Sequence, residues 1–88
     1  MSTIVIDDTL AETMSEVLKT TNRFAWAAGL DPRESRITIT PRVSEEGVSV
    51  WRVTYGSLGH EPGTRRGGDF IVEVVAEDGS LYRILHGQ

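Results

Sequence analysis

The chain has no cysteine among its 88 residues. No disulfide can brace the fold, and the Cys-rich spacing of a structural zinc site is missing. No apolar run approaches the ~20 residues needed to span a bilayer. The first residues, MSTIVIDDT, carry neither a basic stretch nor a long apolar one, so they do not read as a secretory signal. The expectation is a cytoplasmic protein, although a secreted protein trimmed of its leader would read the same. Basic residues are the minority, nine against thirteen acidic, for a net charge of −4. That balance argues against a nucleic-acid partner and against an anionic membrane surface.

What is there reads as globular. The hydrophobic fraction is 39% and the charged fraction 25%, too apolar for a disordered chain. The length gives one domain. A domain of this size buries about 60–65% of its unfolded surface, so its margin is thin. The core must suffice alone, or a partner must add to it.

The most informative stretch is Ile37 to Tyr55, ITITPRVSEEGVSVWRVTY. Glu45-Glu46-Gly47 fits a three-residue hairpin loop, two residues near αR and then a glycine in αL. That loop sets the pairs Val43–Ser49, Pro41–Trp51, Ile39–Val53 and Ile37–Tyr55. The period-2 alternation then gathers Ile37, Ile39, Pro41, Val43, Ser49, Trp51, Val53 and Tyr55 on one face. Thr38, Thr40, Arg42, Ser44, Val48, Val50, Arg52 and Thr54 take the other.

Before the hairpin lies a helix, expected over Leu10–Ala28. Asp7, Asp8 and Thr9 mark its start, and Thr9 with Glu12 fits a capping box. Leu10, Met14, Val17, Leu18, Thr21, Phe24, Ala25 and Ala28 form one apolar stripe. Glu12, Glu16, Lys19 and Arg23 form a solvated face opposite. Gly29 is the expected terminator, and Pro32 blocks continuation. Residues Thr3 to Ile6 read as an extra edge strand or as an arm over apolar surface.

After the hairpin comes a long Gly-rich connection, Gly56 to Gly68. Phe70 to His86 then makes a second hairpin around Glu77-Asp78-Gly79. With the same loop, Val75 faces Leu81, Val74 faces Tyr82, Glu73 faces Arg83 and Val72 faces Ile84. The sum is an α+β domain, a helix packed across a four-stranded antiparallel meander. The core is the helix stripe against Ile37, Ile39, Trp51, Val53, Tyr55, Phe70, Val72, Val74 and Ile84. Val48, Val50, Ile71, Val75, Leu81 and Leu85 fall on the sheet's other face. That outer face is too apolar to be only wet. It is expected to be covered by Ile4 to Ile6, by a second copy or by a partner protein.

The last third, Gly68-Asp69-Phe70-Ile71-Val72-Glu73-Val74-Val75-Ala76-Glu77-Asp78-Gly79-Ser80-Leu81, resembles the closing hairpin of PepSY-like domains. The helix ending at Gly29 and the strand Val50-Trp51-Arg52-Val53-Thr54-Tyr55 are also similar to that family, over residues 10 to 86. The resemblance implies a non-enzymatic module that binds or restrains a protease. It carries no catalytic residues and no cofactor. This chain departs from the family's extracellular setting in showing no signal peptide.

Few residues suggest chemistry. His60 and His86 are the only histidines, and with Glu61 or Asp69 they match no metal-ligand spacing. Ser57, His60 and Glu61 share a loop without a nucleophile-elbow pattern. Gly56, Gly59, Gly63, Gly67 and Gly68 do not form a phosphate loop, since no Gly-Lys-Ser/Thr follows and a strand comes next. Arg65 and Arg66 stand between glycines and would clamp a carboxylate or phosphate on a partner. The plain alternative is a solvated loop tip. Trp26 sits about 140° from the centre of the apolar stripe. It is either an interface anchor or a cover for the chain leaving Gly29. Trp51 and Tyr55 belong to the core, not to a base-stacking platform.

The candidate binding set is therefore Arg65, Arg66, Trp26, Val48, Val50, Leu81 and Leu85. The first functional expectation is a small protein-binding or inhibitory module. The second is an immunity-like or antitoxin-like acidic protein. A third is a small-ligand or enzymatic domain with a pocket between helix and sheet.

Overall fold

A computed structural model of the chain describes residues 7–57 and 69–86. Helix α1 spans Asp8–Ala27. Its cap is Asp7, whose Oδ1 accepts from the Leu10 backbone N–H at 2.8 Å. The expected capping box at Thr9 and Glu12 is thus corrected. An ionised carboxylate satisfies an orphan N–H and also meets the positive end of the helix dipole, which a threonine hydroxyl does not. At the other end Gly29 adopts φ 85°. Leu30 N–H donates to Ala25 O at 2.9 Å and Gly29 N–H to Trp26 O at 3.0 Å. This paired closure satisfies the last carbonyls and turns the chain. Pro32 then opens a short 3₁₀ turn, Pro32–Glu34, capped by Asp31.

Strands β1 (Ser35–Val43) and β2 (Ser49–Ser57) form the first hairpin. Gly47 has φ 83°. Ser44 N–H donates to Val48 O at 2.8 Å, and Gly47 N–H to Ser44 O at 2.9 Å. The register is the expected one, from Ile37–Tyr55 through Val43–Ser49.

Strands β3 (Phe70–Val75) and β4 (Leu81–His86) form the second hairpin. Glu73–Arg83 and Val72–Ile84 pair as expected, but Val74 pairs with Leu81. Val75 N–H donates to Ser80 O, and Gly79 N–H to Val75 O. The loop is thus Ala76–Gly79, one residue longer than expected. The Asp78 carboxylate accepts from Ser80 N–H at 2.9 Å and from its hydroxyl at 2.6 Å, which fixes this wider turn. Tyr82 becomes an extra residue, a bulge that restores the Glu73–Arg83 pair. Directly paired residues share a face, so Leu81 joins Val74 on the helix side. It is not on the outer face, as the simpler register required.

The sheet order is β1-β2-β3-β4, all antiparallel. Strand β2 meets β3 from Tyr55–Phe70 to Val50–Val75, so the two hairpins share one alternation of faces. Helix α1 lies over the two central strands. The core is Val17 and Ala25 against Val53, Tyr55, Phe70, Val72 and Val74, with Leu18, Phe24, Leu30, Ile37, Ile39 and Trp51 packed around it. Each large apolar side chain sealed there contributes about 1.5–3 kcal/mol. Two expected core members, Ala28 and Ile84, are instead exposed. A helix about 10 Å across shields roughly two strands spaced ~4.8 Å apart. Residues on the outer strands therefore lose cover even when they point the right way.

Candidate functional site

Among the described residues, buried polar chemistry is confined to two clusters. The first joins helix to sheet. The buried Tyr55 hydroxyl donates to Asn22 Oδ1 at 2.6 Å and lies 2.7 Å from Thr21 Oγ1. Burial pushes the tyrosine pKa up, while the Thr21 contact works against the shift. A neutral, hydrogen-bonded phenol at the centre of the core is a strut. Tyr55 belongs to the core, as its register implies.

The second cluster lies on the outer face. Arg52, Glu73 and Arg83 stand side by side on β2, β3 and β4. The Glu73 side chain is 1% exposed and accepts from Arg52 Nε at 2.8 Å and from Arg83 Nε. Burial pushes this carboxyl up, but the two guanidinium bonds outweigh it and hold the pKa below the ordinary value. The Arg83 guanidinium also sits 5.6 Å from the Tyr82 ring. The bulge therefore lays Tyr82 on the outer face, where its hydroxyl donates to Glu46 in the first hairpin's loop. The last strand is tied to the first turn across the sheet.

These contacts change the expected outer surface. Val50 is 2% exposed, so it is sealed and does not present itself to a partner. Val48, Ile71, Val75 and Leu85 are half-buried. Leu81 is exposed but on the helix side. The apolar outer face is thus partly occupied by the chain's own polar side chains. Arg65 and Arg66 lie outside the described residues, as do Ile4 to Ile6, His60 and Glu61.

Trp26 is 52% exposed. The Arg33 guanidinium lies 5.4 Å from its ring centroid. Arg33 is held there by Asp31, through bonds of 3.1 and 3.0 Å. Those bonds keep the Asp31 carboxyl below its usual range and raise Arg33. So the indole is met by the turn that follows the helix. The described histidine, His86, stands edge-on to Phe70 at 5.4 Å between ring centroids.

A groove of about 460 Å³ runs between the first half of α1 and the β3–β4 loop. Glu12, Glu16, Glu77 and Asp78 rim it, with hydroxyls from Thr9, Thr13 and Thr20. All four carboxylates are exposed, so water competes for anything they hold. Among the described residues no buried side-chain nitrogen or oxygen lacks a hydrogen-bond partner. Among the described residues no group of three or more His, Cys, Asp or Glu is placed to hold a metal. No helix among them is long and apolar enough to cross a membrane.

The feature that sequence reasoning passed over is the free edge of β1. Among the described residues no strand pairs with it. Ser44 bonds inward to β2, so antiparallel alternation sends the odd-numbered backbone groups of β1 outward. Ile37, Ile39 and Val43 each offer an outward N–H and C=O, and Pro41 offers a C=O alone. On the helix side Pro41 is exposed and Val43 is 66% exposed. On the outer side Arg36, Thr38, Thr40 and Arg42 are all exposed. Among the described residues no carboxylate pairs with Arg36 or Arg42. The sequence held the signal, because the register alone puts these arginines six residues apart on one face. No family model, curated protein or solved structure matches the chain.

Proposed function

We propose that this chain is a small non-enzymatic module that binds another protein. One observation carries the reading. The helix covers only the central strands and leaves a nine-residue edge strand, Ser35–Val43, with apolar, cationic and backbone groups all turned outward. Open edges of this length invite pairing and are normally blunted or used. Two further features support it. The buried polar groups Glu73 and Tyr55 are engaged by neighbours and hold the fold together. The resemblance to PepSY-like domains also implies a binding or restraining role, with a protease as the class of partner. An immunity-like or antitoxin-like role would use the same surface.

The test is capture from a lysate of the source cells, with the tagged whole chain as bait and quantitative mass spectrometry as readout. The captured protein is then purified and its affinity measured by calorimetry. A defined stoichiometry with the purified partner supports the reading. Enrichment of nothing beyond the bait overturns it.

A further inference from the structure

We infer that the β1 edge takes an extended acidic–apolar segment of a partner protein as a fifth strand. This rests on the binding reading above and names the chemistry of what is bound. A strand laid beside β1 would bond to the outward N–H and C=O groups of Ile37, Ile39 and Val43. Side chains across such a pair share a face. Partner residues on the outer face would therefore meet Arg36, Thr38, Thr40 and Arg42. Both arginines are exposed and meet no carboxylate among the described residues. Acidic side chains six positions apart would satisfy them, with polar residues opposite the threonines. On the helix side the partner would lay apolar residues over Ile37, Ile39, Pro41 and Val43, which α1 leaves partly open.

A second copy of this chain fits that edge poorly. The antiparallel register that pairs all of β1 with itself is centred on Ile39. It sets Arg36 against Arg42 at both ends, like charges face to face. It also sets Pro41, which has no N–H, opposite Ile37. The charge pattern asks for an acidic complement that β1 does not supply. The opposite edge is less suited to pairing. Strand β4 is shorter, Leu81–His86, and carries the Tyr82 bulge.

The probe is a labelled nine-residue peptide alternating glutamate and valine, matched in length to β1, with its monomeric state checked by sedimentation. The whole protein is titrated against it by fluorescence anisotropy, beside a peptide with lysine for glutamate. Two further glutamate–valine peptides carry N-methyl groups on alternate residues, one along each edge of the strand. The expected result is binding of the glutamate peptide alone, weakened by salt. Methylation along one edge abolishes it, and methylation along the other leaves it unchanged. The Arg36→Glu/Arg42→Glu variant, both positions being exposed, should melt like the parent but bind about tenfold weaker or worse.

Equal binding of both methylated peptides, or of the lysine peptide, overturns strand addition. So does a homodimer in solution that the charge-reversed variant abolishes, because β1 would then serve self-pairing. If the captured partner from the previous test holds the charge-reversed variant as tightly as the parent, the edge inference fails. The binding reading then survives on another surface.

Discussion

Replacing Glu73 by glutamine keeps the shape of the side chain and removes its charge. The residue is 1% exposed and clasped by Arg52 and Arg83, whose own side chains are 22% and 42% exposed. In a fully sealed site, breaking such an arrangement costs about 3–5 kcal/mol. Here the two arginines can rehydrate through their open sides, so the loss is smaller. Two charge-assisted bonds become one ordinary bond and one clash of donors, about 2 kcal/mol in all. For a domain of this size that lowers the melting temperature by roughly 10 °C at neutral pH.

The pH dependence isolates the charge. The folded carboxyl lies below its ordinary value of 4.5. Its stabilisation is therefore full above the unfolded value and is lost as the pH falls through the folded one. Below that point the parent carboxyl is protonated and resembles the amide. Urea unfolding followed by tryptophan fluorescence, from neutral pH to about pH 3, should show the gap between Glu73→Gln and parent closing on the acid side. A gap under about 0.5 kcal/mol at neutral pH, or one that stays constant into acid, refutes the assignment.

Three other substitutions test the local geometry. Gly47→Val meets no atom within 4 Å but must hold φ 83°, so it should lose about 1–2 kcal/mol from backbone strain alone; an unchanged urea midpoint would discredit the loop. Asp7→Ala should cost about 1 kcal/mol by thermal melt, while Thr9→Ala stays within about 0.5 kcal/mol, and the reverse order would restore the capping box. Val50→Lys should destabilise by about 3 kcal/mol or more, because the ammonium enters a sealed site. Val48→Lys, at a half-buried position, should cost far less in the same denaturation assay.

The first hairpin was legible because two independent signals agreed. Gly47 ends a loop of the right length, and the register it sets puts every large apolar residue of both strands except Val50 on one face. The second hairpin carries the same acidic-Gly ending but a different loop. Nothing in Ala76-Glu77-Asp78-Gly79 announces the extra residue, and an aromatic such as Tyr82 suits either face. The choice was made by the Asp78–Ser80 contacts and by the Glu73 clasp, both of which need the fold assembled. The helix start shifted for a local reason, since three adjacent residues, Asp7, Asp8 and Thr9, all suit a cap. The exposure of Ile84 and Val43 was beyond reach of periodicity. Period-2 alternation says which way a side chain points, not whether a neighbour is wide enough to cover it.

That last distinction explains the functional geometry. One helix over four strands leaves both outer strands short of cover, and the two edges meet the shortage differently. On β4 the bulge shortens the pairing edge and sends Tyr82 back across the sheet to Glu46. Its one outer-face arginine is spent on Glu73. On β1, among the described residues, nothing comparable happens. Ile37 and Ile39 are only half-buried against the core, Pro41 and Val43 are exposed, and its two outer-face arginines meet no carboxylate among the described residues. Pro41 removes one outward donor but leaves Ile37 and Ile39 intact on one side of it and Val43 on the other. A proline that only guarded the edge would serve best near Ile39, the middle of the strand. Placed at position 41, it spoils the full self-pairing register and spares the outward N–H and C=O groups of Ile37 and Ile39 for a strand of different sequence.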